Sequence, residues 1–73
     1  MAVILKDVNE FIKELYTEKG KVLGAFEMDV DGYFYFWRNK KLKGCDSSDL
    51  LRRIADKLDE VNKERDEYLK NNL

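Results

Sequence analysis

Apolar positions near the start of the chain repeat at the spacing of a helix. Five of them fall on one stripe at i, i+3, i+4, i+7 and i+8, namely Val8, Phe11, Ile12, Leu15 and Tyr16. Asp7 and Glu10 have capping-box spacing before the stripe, and Gly20 is a natural stop after it. The pattern predicts a helix near residues 7–19. The apolar run from Ala2 to Leu5, in which Val3 and Ile4 are β-branched, predicts a short strand before it.

The middle of the chain predicts a β-hairpin. Asp31-Gly32 lies between two β-prone runs, and this dipeptide favours a two-residue type I′ turn. Such a turn places three pairs on one inner face, Val30 with Tyr33, Met28 with Tyr35, and Phe26 with Trp37. The opposite, outward face then carries Ala25, Glu27 and Asp29 against Phe34, Phe36 and Arg38. A longer turn shifts the pairing, and that alternative stays open at this point.

The last third of the chain predicts a long helix over residues 48–70. Asp46, Ser47 and Ser48 are each competent N-caps. Four apolar positions repeat with 3-4-3 spacing, Leu51, Ile54, Leu58 and Val61. Together the elements predict one small α+β domain over residues 1–73, of order (β)αββα. Its antiparallel β-hairpin is expected to pack with two helices.

The composition argues against several kinds of catalytic, metal and phosphate site. The chain has 73 residues, of which 40% are charged and 12% aromatic, with no histidine and a single cysteine, Cys45. Without histidine there is no Ser-His-Asp or Cys-His arrangement, and one thiol does not build a zinc site. The segment from Gly20 to Gly24 lacks phosphate-loop spacing. We therefore expect a protein that is not an enzyme and has no cofactor and no metal.

The same inventory bears on location and partners. The apolar run from Ala2 to Leu5 is too short for a signal peptide or a membrane span. A lone Cys45, interpreted as a structural thiol, fits a reducing compartment, so we expect a cytoplasmic protein. The net charge of −1 gives no general attraction to a membrane or to duplex nucleic acid.

Positive charge is nevertheless concentrated in one segment. Residues 33–53 contain two acidic residues and six basic ones, Arg38, Lys40, Lys41, Lys43, Arg52 and Arg53. One interpretation is a solvated loop; the other is an anion site beside the helix N-terminus. Asp46 and Asp49 oppose the second interpretation, because they place negative charge at the same point. In an anion site, Tyr33, Tyr35 or Trp37 would stack a base.

The two phenylalanines of the predicted outward face suggest self-association. A chain of this length with two helices can cover one face of a small sheet but not both. Exposed Phe34 and Phe36 would then form an interface, most simply with a second copy of the chain. We therefore expect a homo-oligomer.

Two segments resemble a known group of proteins. They are Asp31-Gly32-Tyr33-Phe34-Tyr35-Phe36-Trp37 and the run Leu50-Leu51-Arg52-Arg53-Ile54-Ala55-Asp56-Lys57-Leu58-Asp59-Glu60-Val61-Asn62. These are similar to short open reading frames of tailed bacteriophages, which combine a "DGYxYFW"-like strand, a Gly-rich loop and an "LRxIADxLDxLN"-like helix. The resemblance spans about residues 31–62, and Arg38 stands where such proteins often have proline. Small phage proteins of this type often act against host defence, by trapping a signalling nucleotide or by covering a host protein.

Three hypotheses for function follow. In the first, an oligomer counters host defence by sequestering an anionic nucleotide-like signal, such as a cyclic oligonucleotide, with the six basic residues and the three aromatics named above. In the second, the chain binds and blocks a host defence protein through Phe34, Phe36 and the acidic end of the last helix. In the third, it is a structural phage component without a ligand. The concentration of basic and aromatic residues favours the first.

Overall fold

Four consecutive antiparallel strands and one long helix make up the fold. The computed structural model describes residues 2–44 and 46–72, so the prediction of a structural thiol at Cys45 lies outside the described residues. The elements are β1 (Val3–Asn9), β2 (Ile12–Thr17), β3 (Val22–Met28), β4 (Phe34–Arg38) and α1 (Ser48–Asn71). The strands lie in the sheet in chain order, and α1 packs across one face. The α+β class is confirmed, whereas the order is ββββα.

The predicted first helix is wrong, because residues 7–19 form most of a β-hairpin. β1 pairs with β2, with Ile4 opposite Tyr16 and Lys6 opposite Glu14. The segment that looked like a capping box is the turn, where the backbone N–H of Phe11 donates to the side chain of Asn9 at 2.8 Å. The predicted strand at residues 2–5 is therefore the beginning of a longer one.

The second hairpin exists, but its turn is longer than the sequence predicted. Gly32 N donates to the carbonyl of Asp29 and Asp29 N donates to the carbonyl of Tyr33, both at 3.0 Å. Three residues separate Asp29 from Tyr33. A type I′ turn needs positive φ at both central positions, and here Gly32 has a φ of 87° while Asp31 does not have positive φ.

The extra turn residue inverts the faces that were predicted for this hairpin. Met28 lies opposite Phe34 and Phe26 lies opposite Phe36. A shift of one residue moves every side chain of a strand to the other face. The prediction of Phe34 and Phe36 as an outward surface is therefore wrong.

The core lies between the sheet and α1. Leu15 and Phe26 are fully buried at its centre, and Phe34 keeps only 5% of its surface exposed. Phe36 is half-buried and meets Phe26 edge-on, with ring centroids 6.0 Å apart. The helix contributes three buried side chains, Leu50, Ile54 and Val61.

Helix α1 begins and ends close to the predicted residues. Ser47 is the N-cap, and its hydroxyl oxygen accepts a hydrogen bond from Leu50 N at 3.1 Å. This confirms the prediction of a cap among the residues just before position 49. In the part of the chain that the structure describes, no helix is long and apolar enough to cross a membrane.

The C-terminal half of α1 is fastened to β4 and to the turn before it. The side-chain amide of Asn62 accepts from Phe34 N at 2.8 Å and donates to Phe34 O at 3.0 Å. Arg65 donates from Nε to Gly32 O at 2.9 Å. These bonds fasten the helix to the β4 edge and its turn, while the buried apolar side chains hold it on one face of the sheet and the other face is left open.

Candidate functional site

The sheet face that α1 leaves uncovered carries large apolar side chains, and we call it the open face. The strand register places Ile4, Tyr16 and Val22 side by side across β1, β2 and β3. Further along the strands, Trp37 lies beside Ala25. Trp37 is 60% exposed, Ile4 48% and Tyr35 46%. The open face is thus an aromatic and aliphatic surface on a rigid sheet.

A close approach between two strands sets the position of Trp37. Gly24 lies opposite Arg38, and a Cβ at Gly24 would lie 2.2 Å from the Trp37 carbonyl oxygen. Only glycine fits there without moving β4 away from β3. The register also shifts by one residue between Leu15 and Tyr16, beside Gly24. A β-bulge at this point increases the local twist of the sheet.

Carboxylates lie among the apolar side chains of the open face. Glu14 lies between Lys6 and Ala25 across the strands, and Glu27 lies opposite Tyr35. The Tyr16 hydroxyl donates to Glu14 Oε1 at 3.0 Å, and this bond to a carboxylate raises the pKa of Tyr16. The open face therefore has more acidic than basic side chains.

The acidic character continues at the β3–β4 turn. The Tyr35 hydroxyl donates to a carboxylate oxygen of Asp31. That bond lowers the pKa of Asp31 and raises the pKa of Tyr35, so Asp31 stays ionised and holds the tyrosine ring in place. Asp29 and Glu27 line the groove beside the Tyr35 ring.

Two shallow grooves lie on either side of Trp37. The groove toward the turn has a volume of about 350 Å³ and is lined by Glu27, Met28, Asp29, Tyr35, Phe36 and Trp37. The groove toward the loop after β4, of about 420 Å³, is lined by the indole together with Glu14, Glu27, Arg38 and Lys40 among others. The Trp37 indole is a wall of both grooves, so a molecule in either one would contact it.

The structure divides the predicted basic cluster. Arg38 is committed to its own loop, since Nε donates to Asp46 at 2.9 Å and the other two guanidinium nitrogens donate to Leu42 O and Gly44 O. Its guanidinium therefore organises the loop after β4. A role for Arg38 in binding an anion stays a prediction, and an anion there would compete with these three bonds.

Arg53 lies apart from the loop members of the cluster. Arg53 donates to Asp49 at 3.1 Å and lines a cleft with Ala2 and Val3 at the β1 side of the helix. Arg52 is exposed on α1, and three lysines are exposed in the loop after β4, Lys40, Lys41 and Lys43. Of the six basic residues, Arg38 and Lys40 line the groove beside Trp37.

The predicted aromatic site residues are separated as well. The Tyr33 hydroxyl donates to Asp66 of α1 at 2.8 Å, which raises the pKa of Tyr33 and ties the ring to the helix. Tyr35 and Trp37 lie together on the open face. Stacking of a base on Tyr33, Tyr35 or Trp37 stays a prediction, and the geometry leaves the last two available for it.

Sequence reasoning missed the part of the open face formed by the first two strands. Ile4, Ile12 and Tyr16 belong to it, and the last two had been placed on a helical stripe. The available signal was the β-branched run at Val3 and Ile4, which continues into a strand long enough to pair with residues 12–17.

Comparison with known proteins adds no assignment. No family model matches the chain, and neither a curated protein nor a solved structure matches it. The candidate site is therefore defined by its geometry alone.

Proposed function

We propose that this chain is a binding protein that docks on a partner protein through the open face of its sheet. The observation that supports this most directly is the exposure of Trp37, Tyr35 and Ile4 on the face away from the helix. Trp and Tyr are the residue types that dominate binding energy at protein interfaces. Large apolar surfaces on small proteins are typical of sites that a partner covers.

The charges around the aromatic rings favour a partner of definite chemistry. Glu14, Glu27 and Asp29 lie in or beside the grooves next to Trp37. An apolar patch with an acidic rim is complementary to an apolar patch flanked by lysine or arginine. We therefore propose a protein partner with a basic rim. Following the resemblance to short phage proteins, we propose a host defence protein as that partner, in the host cytoplasm.

A photo-crosslinking residue in place of Lys40, which is exposed and lines the groove beside Trp37, tests the docking surface in a host lysate. The matched control carries the same crosslinker in place of Lys63, which is exposed on α1. A partner specific to the open face is expected with the first protein and not with the second. Capture of the same proteins by both would contradict the proposal.

Affinity measurements with the purified partner then test the contribution of the aromatic side chains. Trp37→Ala is expected to weaken binding by about 30-fold or more, as central aromatic residues do at interfaces. Lys63→Ala serves as the control and is expected to leave the affinity unchanged. Equal affinity of wild type and Trp37→Ala would move the interface away from the open face.

One observation supports a second candidate, the sequestration of an anionic nucleotide-like signal. Trp37 and Lys40 line the same groove of about 420 Å³, so a base stacked on the indole could place a phosphate near the lysine. A thermal-shift screen with cyclic dinucleotides tests this, since a ligand that binds only the folded chain raises its melting temperature. A shift in wild type that disappears in Trp37→Ala would support it.

A single substitution distinguishes the two candidates. Glu27 lines both grooves, so Glu27→Gln removes a negative charge from the open face. Binding of a basic-rimmed protein should weaken, because an attraction is lost. Binding of an anionic nucleotide should strengthen, because a repulsion is lost. The sign of the change therefore identifies the ligand class.

A further inference from the structure

The two edges of the sheet differ in how their backbone groups are satisfied. At the β4 edge, the Asn62 amide bonds both the N–H and the carbonyl of Phe34. β1 is the other edge strand, seven residues long, and most of its side chains are exposed. A long uncovered edge strand is a template for pairing with another strand.

The hydrogen-bond pattern identifies which β1 groups point away from the sheet. Met28 N donates to Phe11 O, and antiparallel ladders alternate, so Lys13 and Leu15 also bond to β3. The alternate residues Glu14 and Tyr16 then bond to β1. Their partners on β1 are Lys6 and Ile4.

Val3, Leu5 and Asp7 therefore direct their backbone N–H and C=O groups outward from the edge. Across residues 2–44 and 46–72, these backbone groups have no hydrogen-bond partner outside the sheet. These three alternate residues provide a row of backbone donors and acceptors that an antiparallel strand can match.

We propose that two copies of this chain pair their β1 strands antiparallel about a two-fold axis at Leu5, forming one continuous eight-stranded sheet. In this register Leu5 lies opposite its own copy, and Val3 lies opposite Asp7 of the second copy. Every outward N–H and C=O of the three residues is then paired. The arrangement is isologous, as a two-fold interface requires.

Neighbouring registers either place like charges opposite each other or leave Asp7 without a partner in β1. A shift of two residues in one direction places Lys6 opposite its own copy, and directly opposed like charges destabilise a sheet. The same shift in the other direction moves the partner of Asp7 beyond the first residue of β1. The Leu5 register places Ile4 opposite Lys6 of the second copy on the open face, so no two like charges face each other.

The helix flank beside β1 is compatible with this pairing. The cleft there is lined by Ala2, Val3, Arg53, Asp56 and Lys57. A two-fold axis at Leu5 brings two copies of this flank toward each other. The flank carries both signs of charge, so acidic groups of one copy can approach basic groups of the other. The sheet pairing also joins two open faces side by side, although it does not depend on the proposed docking partner.

Charge substitutions at Ile4 test the register. The free wild-type protein is expected to have twice the 8.7 kDa mass of one chain in light scattering. Ile4→Lys places two lysines opposite each other at each end of the pairing and should give the mass of one chain. Ile4→Glu removes the same apolar side chain but faces Lys6 of the second copy, and should remain dimeric.

A double variant separates loss of pairing from loss of folding. Ile4→Lys combined with Lys6→Gln removes the opposed lysines without placing a second carboxylate opposite Glu14, and should restore the dimer mass. A wild-type mass of one chain at all concentrations would overturn the proposal. Dimers that persist in Ile4→Lys would overturn it as well.

Amide exchange supplies a readout specific to the β1 edge. Ile4 and Lys6 amides should be protected in any folded chain. Those of Val3, Leu5 and Asp7 should be protected only at concentrations where the dimer forms and should lose protection on dilution. A dimer in which these three amides exchange freely would show that another surface associates. Because these measurements use the free protein, they can fail without affecting the docking proposal.

Discussion

The two faces of the sheet are built from the same strands, but they have different side-chain chemistry. In β4, Phe34 and Phe36 point toward the helix, while Tyr35 and Trp37 point to the open face. The covered face uses rings without polar atoms. The open face uses rings that each carry a hydrogen-bonding group. The Tyr35 hydroxyl bonds to Asp31, and the mostly exposed Trp37 indole can bond to a partner.

Because of this difference, we expect the covered face to determine the stability of the fold and the open face to determine the binding of a partner. Leu15 and Phe26 on the covered face are fully buried, so their removal leaves a cavity. The Trp37 side chain is 60% exposed, so we expect it to contribute little to the stability of the fold. Substitutions on one face should therefore change unfolding, and substitutions on the other should change binding.

Truncating one aromatic side chain on each face gives the largest expected contrast. Phe26→Ala should lower the free energy of unfolding by about 3–5 kcal/mol, because Phe26 fills the centre of the core. Trp37→Ala should lower it by less than about 1 kcal/mol, since an exposed ring loses only cross-strand contacts. Urea unfolding followed by circular dichroism measures both.

Phe26→Leu keeps this comparison measurable if the alanine variant does not fold. Leucine fills part of the space of the lost ring, so a smaller loss is expected, of about 1.5–2 kcal/mol, which still exceeds that of Trp37→Ala. Equal destabilisation by Phe26→Leu and Trp37→Ala would show that the open face also supports the fold.

The contrast between the faces also explains why the first hairpin escaped sequence prediction. A strand with one buried face and one solvent-exposed face alternates apolar and polar residues, and that alternation is its sequence signal. In β2, Ile12 and Tyr16 lie on the open face while Lys13 lies on the covered side. Apolar residues on both faces removed the period of two, and what remained matched a helical stripe.

The second hairpin was predicted correctly, but its strand register was not. Asp31-Gly32 indicated the turn correctly, yet the dipeptide is compatible with both a two-residue and a three-residue loop. Because the choice shifts β4 by one residue, it exchanged Phe34 and Trp37 between the faces. The long helix was predicted well because its apolar period and its N-cap signals agree.

Of the candidate site, only the aromatic residues of β4 were predictable from the sequence. Tyr35 and Trp37 were named from the sequence, although the predicted register places them on the inner face of the hairpin. The commitment of Arg38 to its own loop could not be predicted, because it depends on carbonyl groups of Leu42 and Gly44 that the loop brings together.

Removing the Asn62 amide tests what fastens the helix to the covered face. Asn62→Ala should lower the free energy of unfolding by about 2 kcal/mol, because it leaves Phe34 N and O without their partners. The Phe34 amide should also exchange faster. Lys63→Ala, one residue further along, is the control and should change stability by less than about 0.5 kcal/mol. An unaltered Phe34 exchange rate in Asn62→Ala would mean that water replaces the amide fully.

The start of the helix gives a smaller test of the same attachment. Ser47→Ala should lower the free energy of unfolding by about 1 kcal/mol, because Leu50 N loses the hydroxyl that caps it. Ser48→Ala, in the first turn, should have an effect within about 0.5 kcal/mol. Chemical denaturation of the two variants decides between the two serines. A larger effect at Ser48 would place the cap one residue later.

The smallest expected effect is a dependence of stability on pH at the far end of the helix. Asp66 accepts hydrogen bonds from Lys70 at 2.9 Å and Tyr33 at 2.8 Å, which lower the pKa of Asp66 below its ordinary value of 3.8. The same bonds raise the pKa values of Lys70 and Tyr33.

The sign of each contribution follows from linkage. The Asp66 contribution is complete above pH 3.8 and is lost as the pH falls through the lowered native pKa. The Tyr33 contribution is complete below pH 10.0 and is lost as the pH rises through the raised native pKa. Asp66→Asn should therefore flatten the pH dependence of the urea midpoint at both extremes, because both bonds involve the same carboxylate. Glu64→Gln is the control, an exposed carboxylate two residues earlier, and should leave the profile unchanged. If Asp66→Asn keeps the wild-type profile, other carboxylates govern the acid side, and the helix end is held by Asn62 and Arg65 instead.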